Sequence, residues 1–226
     1  LFASLIAVVF GFFYGLLLNR IKGDEMLIAT YVGYSFTAFM CIAYLILPYK
    51  NPVSVLSYGG KGLSQQIPVA DYWMKSKILE DGTKVTVGVL NNFLSINILG
   101  VKIPVGMFLL FALMAFIVWA FFKTKTGTAM TAVGSNSEYA KAAGIHINKV
   151  RLVSVILSTV IAAIGIVIYQ QSYGFIQLYQ APLSFTFQTV AALLIGGASI
   201  NKASIPNVII GTFLFQGVIT LTPTVI

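Results

Sequence analysis

Few side chains in this sequence could carry out acid–base, nucleophilic or metal chemistry. The 226 residues contain one histidine, His146, and one cysteine, Cys41. A solitary cysteine indicates neither a disulfide nor a metal site, and the zinc motif H-E-x-x-H is missing. Asp24 and Glu25 are adjacent carboxylates, but negative charge at the start of a helix explains them more simply than acid–base work. The sequence therefore predicts a chain that is not an enzyme and that binds no metal and no cofactor.

The composition is that of a protein that crosses a membrane several times. Apolar residues make up 58% of the chain and charged residues only 9%, whereas a soluble domain carries about 25% charged residues. The mean hydropathy of +0.91 agrees. This balance excludes a soluble enzyme and a disordered chain. The net charge of +8 does not indicate nucleic-acid binding, because no basic stripe with interleaved aromatic residues is present.

Uncharged stretches long enough to cross a bilayer predict an all-α polytopic fold of about six transmembrane helices. The longest stretch, 152–201, would make about 75 Å of helix, so we divide it at its polar middle, 170–184. The span 185–200 is short enough to be a re-entrant half helix instead. The predicted spans are 1–19, 26–49, 103–122, 152–169, 185–200 and 203–226.

Both ends of the chain lie inside apolar runs. We therefore expect 1–226 to be a single transmembrane domain cut from a longer protein, and we expect residues 1–19 to be a span and not a signal peptide. The distribution of Lys and Arg in the short loops places 123–151 in the cytoplasm and 50–102 outside. The outer loop could be a docking surface or a plain connector, and its segment 84–90 alternates as a short strand does.

The cytoplasmic loop 123–151 is predicted to contain a short helix, 136–143. Ser135 followed by Glu138 reads as a capping box, and Gly144 suits the left-handed position after a helix. A helix this short is marginal in water, so something must hold it. Its small side chains favour docking into a protein groove over lying on the membrane surface, where large apolar residues would be needed.

The predicted spans contain no Asp, Glu, Lys, Arg or His. Proton and sodium relays generally use such groups, so a carrier driven through membrane carboxylates is disfavoured. Backbone carbonyls can also bind sodium, which leaves a secondary carrier or channel open as the alternative. The sequence otherwise indicates a pathway whose energy, if it moves a solute uphill, comes from another subunit.

Three segments of the sequence carry motifs of a known kind. They are Gly127-Thr128, Ala132 to Asn136, Ala140 and Ala142 to Ile145 in the loop; Ala191 to Ser199; and Gly15 to Leu17 with Ile28 to Thr30. These segments resemble the permeases of ATP-binding-cassette importers in the branched-chain amino acid and simple-sugar family. The loop segment is the most specific, and the long outer loop favours the sugar and nucleoside branch of that family.

The resemblance implies a multi-pass permease of the bacterial plasma membrane. Its partners would be a cytoplasmic ATPase that binds ATP and magnesium, a second permease subunit, an external solute-binding protein and the lipid bilayer. It would pass a small polar solute, most simply a sugar or nucleoside, by alternating access. The residues expected to couple to the ATPase are Ala132, Gly134, Asn136, Ala140, Ala143, Gly144 and Ile145.

Amides and aromatic rings gather where the long uncharged stretch reaches the outside. Such groups suit sugar hydroxyls or nucleobases, but an interfacial aromatic belt would use the same residues. Gly196 and Gly197 could line the pathway or allow close packing, and the G-x-x-x-G of Gly11 and Gly15 indicates a close helix contact. The candidate pathway residues are Tyr169, Gln170, Gln171, Tyr173, Phe187, Gln188, Gly196 and Gly197.

Overall fold

The computed structural model describes residues 2–21, 23–46, 66–68, 76–78, 84–86, 94–98, 101–173, 175–177, 181–199 and 203–225. These residues form eight helices and three two-stranded antiparallel ladders. The helices are α1 (Phe2–Arg20), α2 (Glu25–Ile46), α3 (Val105–Phe122), α4 (Lys125–Ser135), α5 (Ser137–Ala142), α6 (Ile147–Tyr173), α7 (Ala181–Ile195) and α8 (Ile205–Val225). The strands are β1 (Gln66–Pro68), β2 (Ser76–Ile78), β3 (Lys84–Thr86), β4 (Ser95–Ile98), β5 (Val101–Pro104) and β6 (Phe175–Gln177).

The predicted polytopic helical fold is confirmed. Five helices in the described part of the chain, α1, α2, α3, α6 and α8, are long and apolar enough to span a membrane. The sixth, α7, has 15 residues and rises about 22 Å, less than the roughly 30 Å of a hydrocarbon core. The strand predicted at 84–90 is confirmed over β3, which pairs with β2. Residues 87–90 lie outside the described part.

Three helix boundaries predicted within the long uncharged stretch are wrong. Helix α6 has 27 residues and continues through Gln170 and Gln171 to Tyr173. Glutamine is a good helix former, and the next glycine after these residues comes only at position 174. Helix α7 is predicted at 185–200 but begins at Ala181 and ends at Ile195. It stops there because Gly197 adopts a φ of +79°, which reverses the backbone and closes the helix end.

Helix α1 packs closely on α6 through a row of small residues. Ala7, Gly11 and Gly15 are the buried residues of α1. A methyl group added to Gly11 would lie 3.0 Å from the Ile156 Cα atom. Large side chains at these positions would hold the two backbones apart, so the predicted role of this G-x-x-x-G as a helix contact is confirmed.

A second close crossing joins α7 and α8. Ala192 is 6% exposed. A methyl group on Gly196 would overlap the Asn207 carbonyl oxygen and lie 3.0 Å from the Gly211 Cα atom. A methyl group on Gly211 would in turn overlap the Ala192 carbonyl oxygen. The two helices therefore form a hairpin whose backbones touch where they cross.

Contacts between loops show which ends of the helices lie together. The Asn19 side chain donates to the Asn148 carbonyl (2.9 Å), so the α1–α2 turn and the start of α6 share one end of the bundle. At the other end, β1 from the long loop pairs with β6, which follows α6. This arrangement matches the alternation expected of successive spans. The assignment of the first end to the cytoplasm stays a prediction.

The helix surfaces suit an apolar surrounding. Threonine hydroxyls along the spans donate to the carbonyl of the residue four positions earlier, which satisfies them without water. At the end of α3, the Lys123 ammonium lies 5.6 Å from the Trp119 ring centroid, a pairing typical of the membrane–water boundary. The threonines bonded in this way are Thr30, Thr37, Thr159, Thr186, Thr189, Thr212, Thr220 and Thr222.

Candidate functional site

The loop between α3 and α6 is folded throughout, beginning with α4, a helix that the sequence reasoning missed. Thr124 caps α4 by accepting a hydrogen bond from the Gly127 backbone N–H (3.3 Å). Gly127 is buried, and a methyl group there would lie 2.6 Å from the Phe122 Cα atom, so the backbone of α3 passes close to it. The chain thus turns sharply out of α3 and folds back on it. Thr124 with glycine three residues later was the available sequence signal.

The short helix α5 begins one residue later than predicted. Asn136 is its N-cap: the side-chain oxygen accepts from the Tyr139 backbone N–H at 3.0 Å. The prediction that Ser135 caps this helix is wrong, because Ser135 is the last residue of α4 and its hydroxyl donates to the Ala132 carbonyl (3.1 Å). Asn136 has the extended backbone of a cap (φ −155°, ψ 101°) and so divides the two helices.

The end of α5 has the predicted glycine cap. Gly144 has a φ of +80°, a conformation that costs other residues a steric penalty. Its N–H donates to the Lys141 carbonyl (3.0 Å), and the Ile145 N–H donates to the Ala140 carbonyl (3.0 Å). This is the double hydrogen-bond pattern of a Schellman motif. Helix α5 is therefore closed at both ends, which compensates for its length of six residues.

The two faces of α5 differ. Ala140 is completely buried within the chain, whereas Tyr139 is 72% exposed. The small side chain of Ala140 lets α5 sit close to its own loop and to α6, so Ala140 cannot itself enter a groove on a partner. The surface that α5 presents outward is made of Ser137, Glu138, Tyr139, Lys141 and Ala142, and we call it the α5 outer face.

The remaining predicted coupling residues surround α5. Gly134 is exposed in the last turn of α4, and a side chain at this position would meet nothing within 4 Å. Ala132 and Ile145 are half-buried, and Ala143 is exposed as the C-cap of α5. The structure thus brings the predicted set together on one compact loop. Whether these residues contact an ATPase stays a prediction.

Two polar ties join this loop to the first pair of helices, and no local sequence pattern indicates them. Arg151 Nη2 lies 2.8 Å from Glu25 Oε1, across 126 positions of sequence. The Gly23 N–H donates to the other oxygen of the same carboxylate at 3.2 Å. The Asn19 amide reaches the Asn148 carbonyl. Glu25 also occupies the first turn of α2, as predicted from the charge of a helix start.

The residues predicted to line a solute pathway fall into two places. At one end of α7, the Tyr169 ring meets the Phe185 ring edge to face with centroids 5.3 Å apart, and Phe187, two residues further along α7, is 72% exposed. Gln170 and Gln171 are half-buried on α6, and Gln188 is exposed on α7. Tyr173 is the last residue of α6.

Gly196 and Gly197 lie at the opposite end of α7. The helix rises about 14 Å between positions 187 and 196, so these glycines do not join the aromatic and amide cluster. Gly196 packs on α8, and Gly197 donates to the Leu194 carbonyl (3.0 Å) in the turn that ends α7. Close packing and helix termination therefore account for both glycines.

With this architecture established, the comparisons with known proteins decide the family. The model of the family described as "Branched-chain amino acid transport system / permease component" matches residues 1–226. The chain belongs to this permease family. It is therefore a multi-pass protein of the bacterial inner membrane, which confirms both the multi-pass character predicted from the uncharged spans and the location implied by the resemblance.

The curated proteins that match this permease share less than a third of the aligned residues with it. The chain is similar to "Autoinducer 2 import system permease protein LsrC" of Enterobacter sp. (strain 638), at 26% identity over 205 residues, 89% of this chain and 55% of the relative. The proteins of the same name from Shigella flexneri and Escherichia coli O9:H4 are 31% and 30% identical over 102 residues, 45% of this chain and 29% of each relative. The chain thus spans about half the length of the Enterobacter relative, which is the longest of these matches. No solved structure matches it significantly.

Proposed function

We propose that this chain is part of the permease subunit of an ATP-driven importer and that α5 is the element through which a separate ATPase acts on it. The observation that carries the proposal is the construction of α5. A six-residue helix is capped at both ends by Asn136 and Gly144, seated on Ala140 and left exposed on its outer face. A short helix held in this way is rigid enough to transmit a displacement that a partner imposes on it.

The chemistry of the outer face fits a protein partner. Tyr139 is a large exposed aromatic residue with a polar tip, the kind of side chain that is enriched at the centres of protein interfaces. Glu138 and Lys141 flank it with opposite charges. We assign contact with the ATPase to this face, while Ala140 sets its position. Ala143 and Gly144 form the backbone turn that ends α5, Gly134 lies in the exposed last turn of α4, and Ala132 and Ile145 are half-buried in the same loop.

The transported solute is proposed to be small and polar, of the sugar or nucleoside class. Several relatives are named for the import of autoinducer 2, and the aromatic and amide side chains near Tyr169 and Phe187 suit a polar solute. Two permease subunits would enclose the pathway, and an external binding protein would deliver the solute. ATP binding by the ATPase pair would move α5 and switch access from one side to the other. That this chain itself holds no metal or nucleotide stays a prediction.

Copurification of the complete, tagged protein from its native membranes tests the proposal. We expect an ATP-binding-cassette ATPase to be recovered, and Tyr139→Ala to weaken its binding about tenfold, as loss of an interface aromatic does. Lys125→Ala is the matched control, since Lys125 is exposed on the same loop but begins α4. Solute uptake without any ATPase would instead favour a secondary carrier or channel.

A further inference from the structure

The start of α6 is the point where the α5 loop meets the first two helices. Arg151 pairs with Glu25 of α2 at 2.8 Å, and the Asn19 amide, at the end of α1, donates to the Asn148 carbonyl at 2.9 Å. We call these four residues the clasp. Its two ties join parts of the chain 126 and 129 positions apart. They bring α1, α2 and α6 together at the end of the bundle that carries α5.

The connection from α5 to the clasp is short and stiff. The cap of α5 ends at Ile145, and the next residue, His146, accepts hydrogen bonds from the backbone N–H groups of Lys149 and Val150, both at 3.1 Å. Helix α6 therefore begins directly after the cap, and Arg151 stands in its second turn. A displacement of α5 must move this turn, because no flexible linker separates the two.

Helix α2 depends on the clasp more than α1 does. Small residues pack α1 along α6, whereas none of the described residues of α2 is buried. Within the described part of the chain, α2 meets α1 through the edge-to-face rings of Phe10 and Phe36, 5.1 Å apart, near the middle of both helices. At the end near α5, its tie to α6 is the carboxylate of Glu25, which Arg151 and the Gly23 N–H hold on different oxygens.

We propose that the Arg151–Glu25 ion pair is a transmission contact that makes α2 follow the movement of α5. The inference rests on the proposed function, because it takes α5 as the element that an ATPase displaces. Arg151 and Glu25 are positioning residues and touch neither nucleotide nor solute. Their side chains are 40% and 35% exposed. An ion pair this accessible adds little to stability, so its loss should leave the fold intact. What should change is whether α2 moves together with α5.

Hydrogen exchange of the complete permease with its copurified ATPase can detect the movement of α5 and α2, and this measurement does not require the solute to be identified. The probe is a non-hydrolysable ATP analogue, and the exchange of two regions is compared with and without it. Residues 136–145 report on α5, and residues 25–32 report on the start of α2. In the unaltered protein both regions should respond to the analogue.

Arg151→Gln and Glu25→Gln should each reduce the change in hydrogen exchange at 25–32 by about two- to fivefold, because an exposed ion pair can shift a conformational equilibrium by about that factor. The exchange at 136–145 should still change when the analogue binds. The exchanged pair, Glu25→Arg with Arg151→Glu, should restore most of the lost response. Lys149→Gln and Asp24→Asn are matched controls, because each removes a neighbouring charge that makes no ion pair among the described residues.

Two results would overturn the proposal. If 136–145 responds to the analogue in both single variants but 25–32 responds as fully as in the unaltered protein, the ion pair does not transmit the movement. If the exchanged pair is no better than the single variants, the effect is not due to the ion pair. A failure of the proposed function looks different: region 136–145 of the unaltered protein would then show no response at all.

Discussion

Two helix crossings in this permease use glycine in different ways. In the α1–α6 crossing, methyl groups on Gly11 and Gly15 would approach side-chain atoms of Thr159 and Leu152 as well as backbone. In the α7–α8 crossing, methyl groups on Gly196 and Gly211 would overlap carbonyl oxygens of the facing helix. Side chains can move aside, whereas a helix backbone cannot without separating the helices.

The helix ends closed by Gly144 and Gly197 also differ, in how closely each is connected to a helix crossing. Gly144 closes α5 in open space, away from any crossing, and polar ties of modest strength connect the start of α6, which follows α5, to α1 and α2. Gly197 closes α7 immediately beside Gly196, so helix end and crossing are one structure. The difference indicates a rigid α7–α8 hairpin, whereas accessible polar groups join the start of α6 to α1 and α2, and this is the region expected to adjust if α5 moves as proposed.

The largest effect is expected at the rigid crossing. Gly211→Ala should destabilise the protein by about 3 kcal/mol or more, because the added methyl group overlaps backbone and the helices must separate. Gly217→Ala, on the same helix but with nothing within 4 Å of the new methyl group, is the control and should be neutral or slightly stabilising. Thermal unfolding in detergent measures both. Equal stability of the two variants would remove the distinction between the crossings.

The two glycine caps provide the next comparison. Gly144→Ala and Gly197→Ala each force alanine to a positive φ, which costs about 1–2 kcal/mol. Hydrogen exchange should therefore rise at Ile145 and Ala198, whose N–H groups close the two caps. Gly134→Ala is the control, since it lies in open space and its φ is not positive. A clearly larger effect at Gly197 would show that the crossing adds strain to its cap.

Much of this architecture could be predicted from single stretches of sequence. Runs without charge located the five long spans, and Gly11 with Gly15 indicated a close contact, because membrane helices need small residues to approach. Gly144 marked a helix end because glycine readily takes a positive φ. Each of these features depends on residues close together in the chain, so the sequence displays it directly.

Features that depend on distant or competing residues could not be predicted. The pairing of Glu25 with Arg151 joins positions far apart, and nothing local to either residue names its partner. Ser135 and Asn136 are both good capping residues, and the choice between them follows from α4, which keeps Ser135 helical. The placement of Gly196 against α8 likewise requires the folded hairpin.

The start of α5 tests the adjustable region directly. Asn136→Ala should cost about 1 kcal/mol of local stability, because the Tyr139 N–H loses its acceptor. Ser135→Ala is the matched control and should cost much less, since the Ser135 hydroxyl bonds only within α4. Hydrogen exchange over 137–142 measures the difference. Equal effects of the two substitutions would restore Ser135 as the cap and contradict the structure.

The smallest effects are expected within the α1–α6 crossing, and they separate its two glycines. Gly11→Ala should cost about 1 kcal/mol, because its methyl group meets the Ile156 backbone and the Thr159 hydroxyl, which is held by the Val155 carbonyl at 2.6 Å.

Gly15→Ala should be close to neutral: its methyl group meets the flexible tip of Leu152 at 2.6 Å, and alanine regains about 0.5–1 kcal/mol of helix propensity. Thermal unfolding in detergent measures both variants. A cost for Gly15→Ala as large as that for Gly211→Ala would mean that α1 and α6 are locked as firmly as the α7–α8 hairpin. In that case the group joined by the clasp could not adjust as α5 moves.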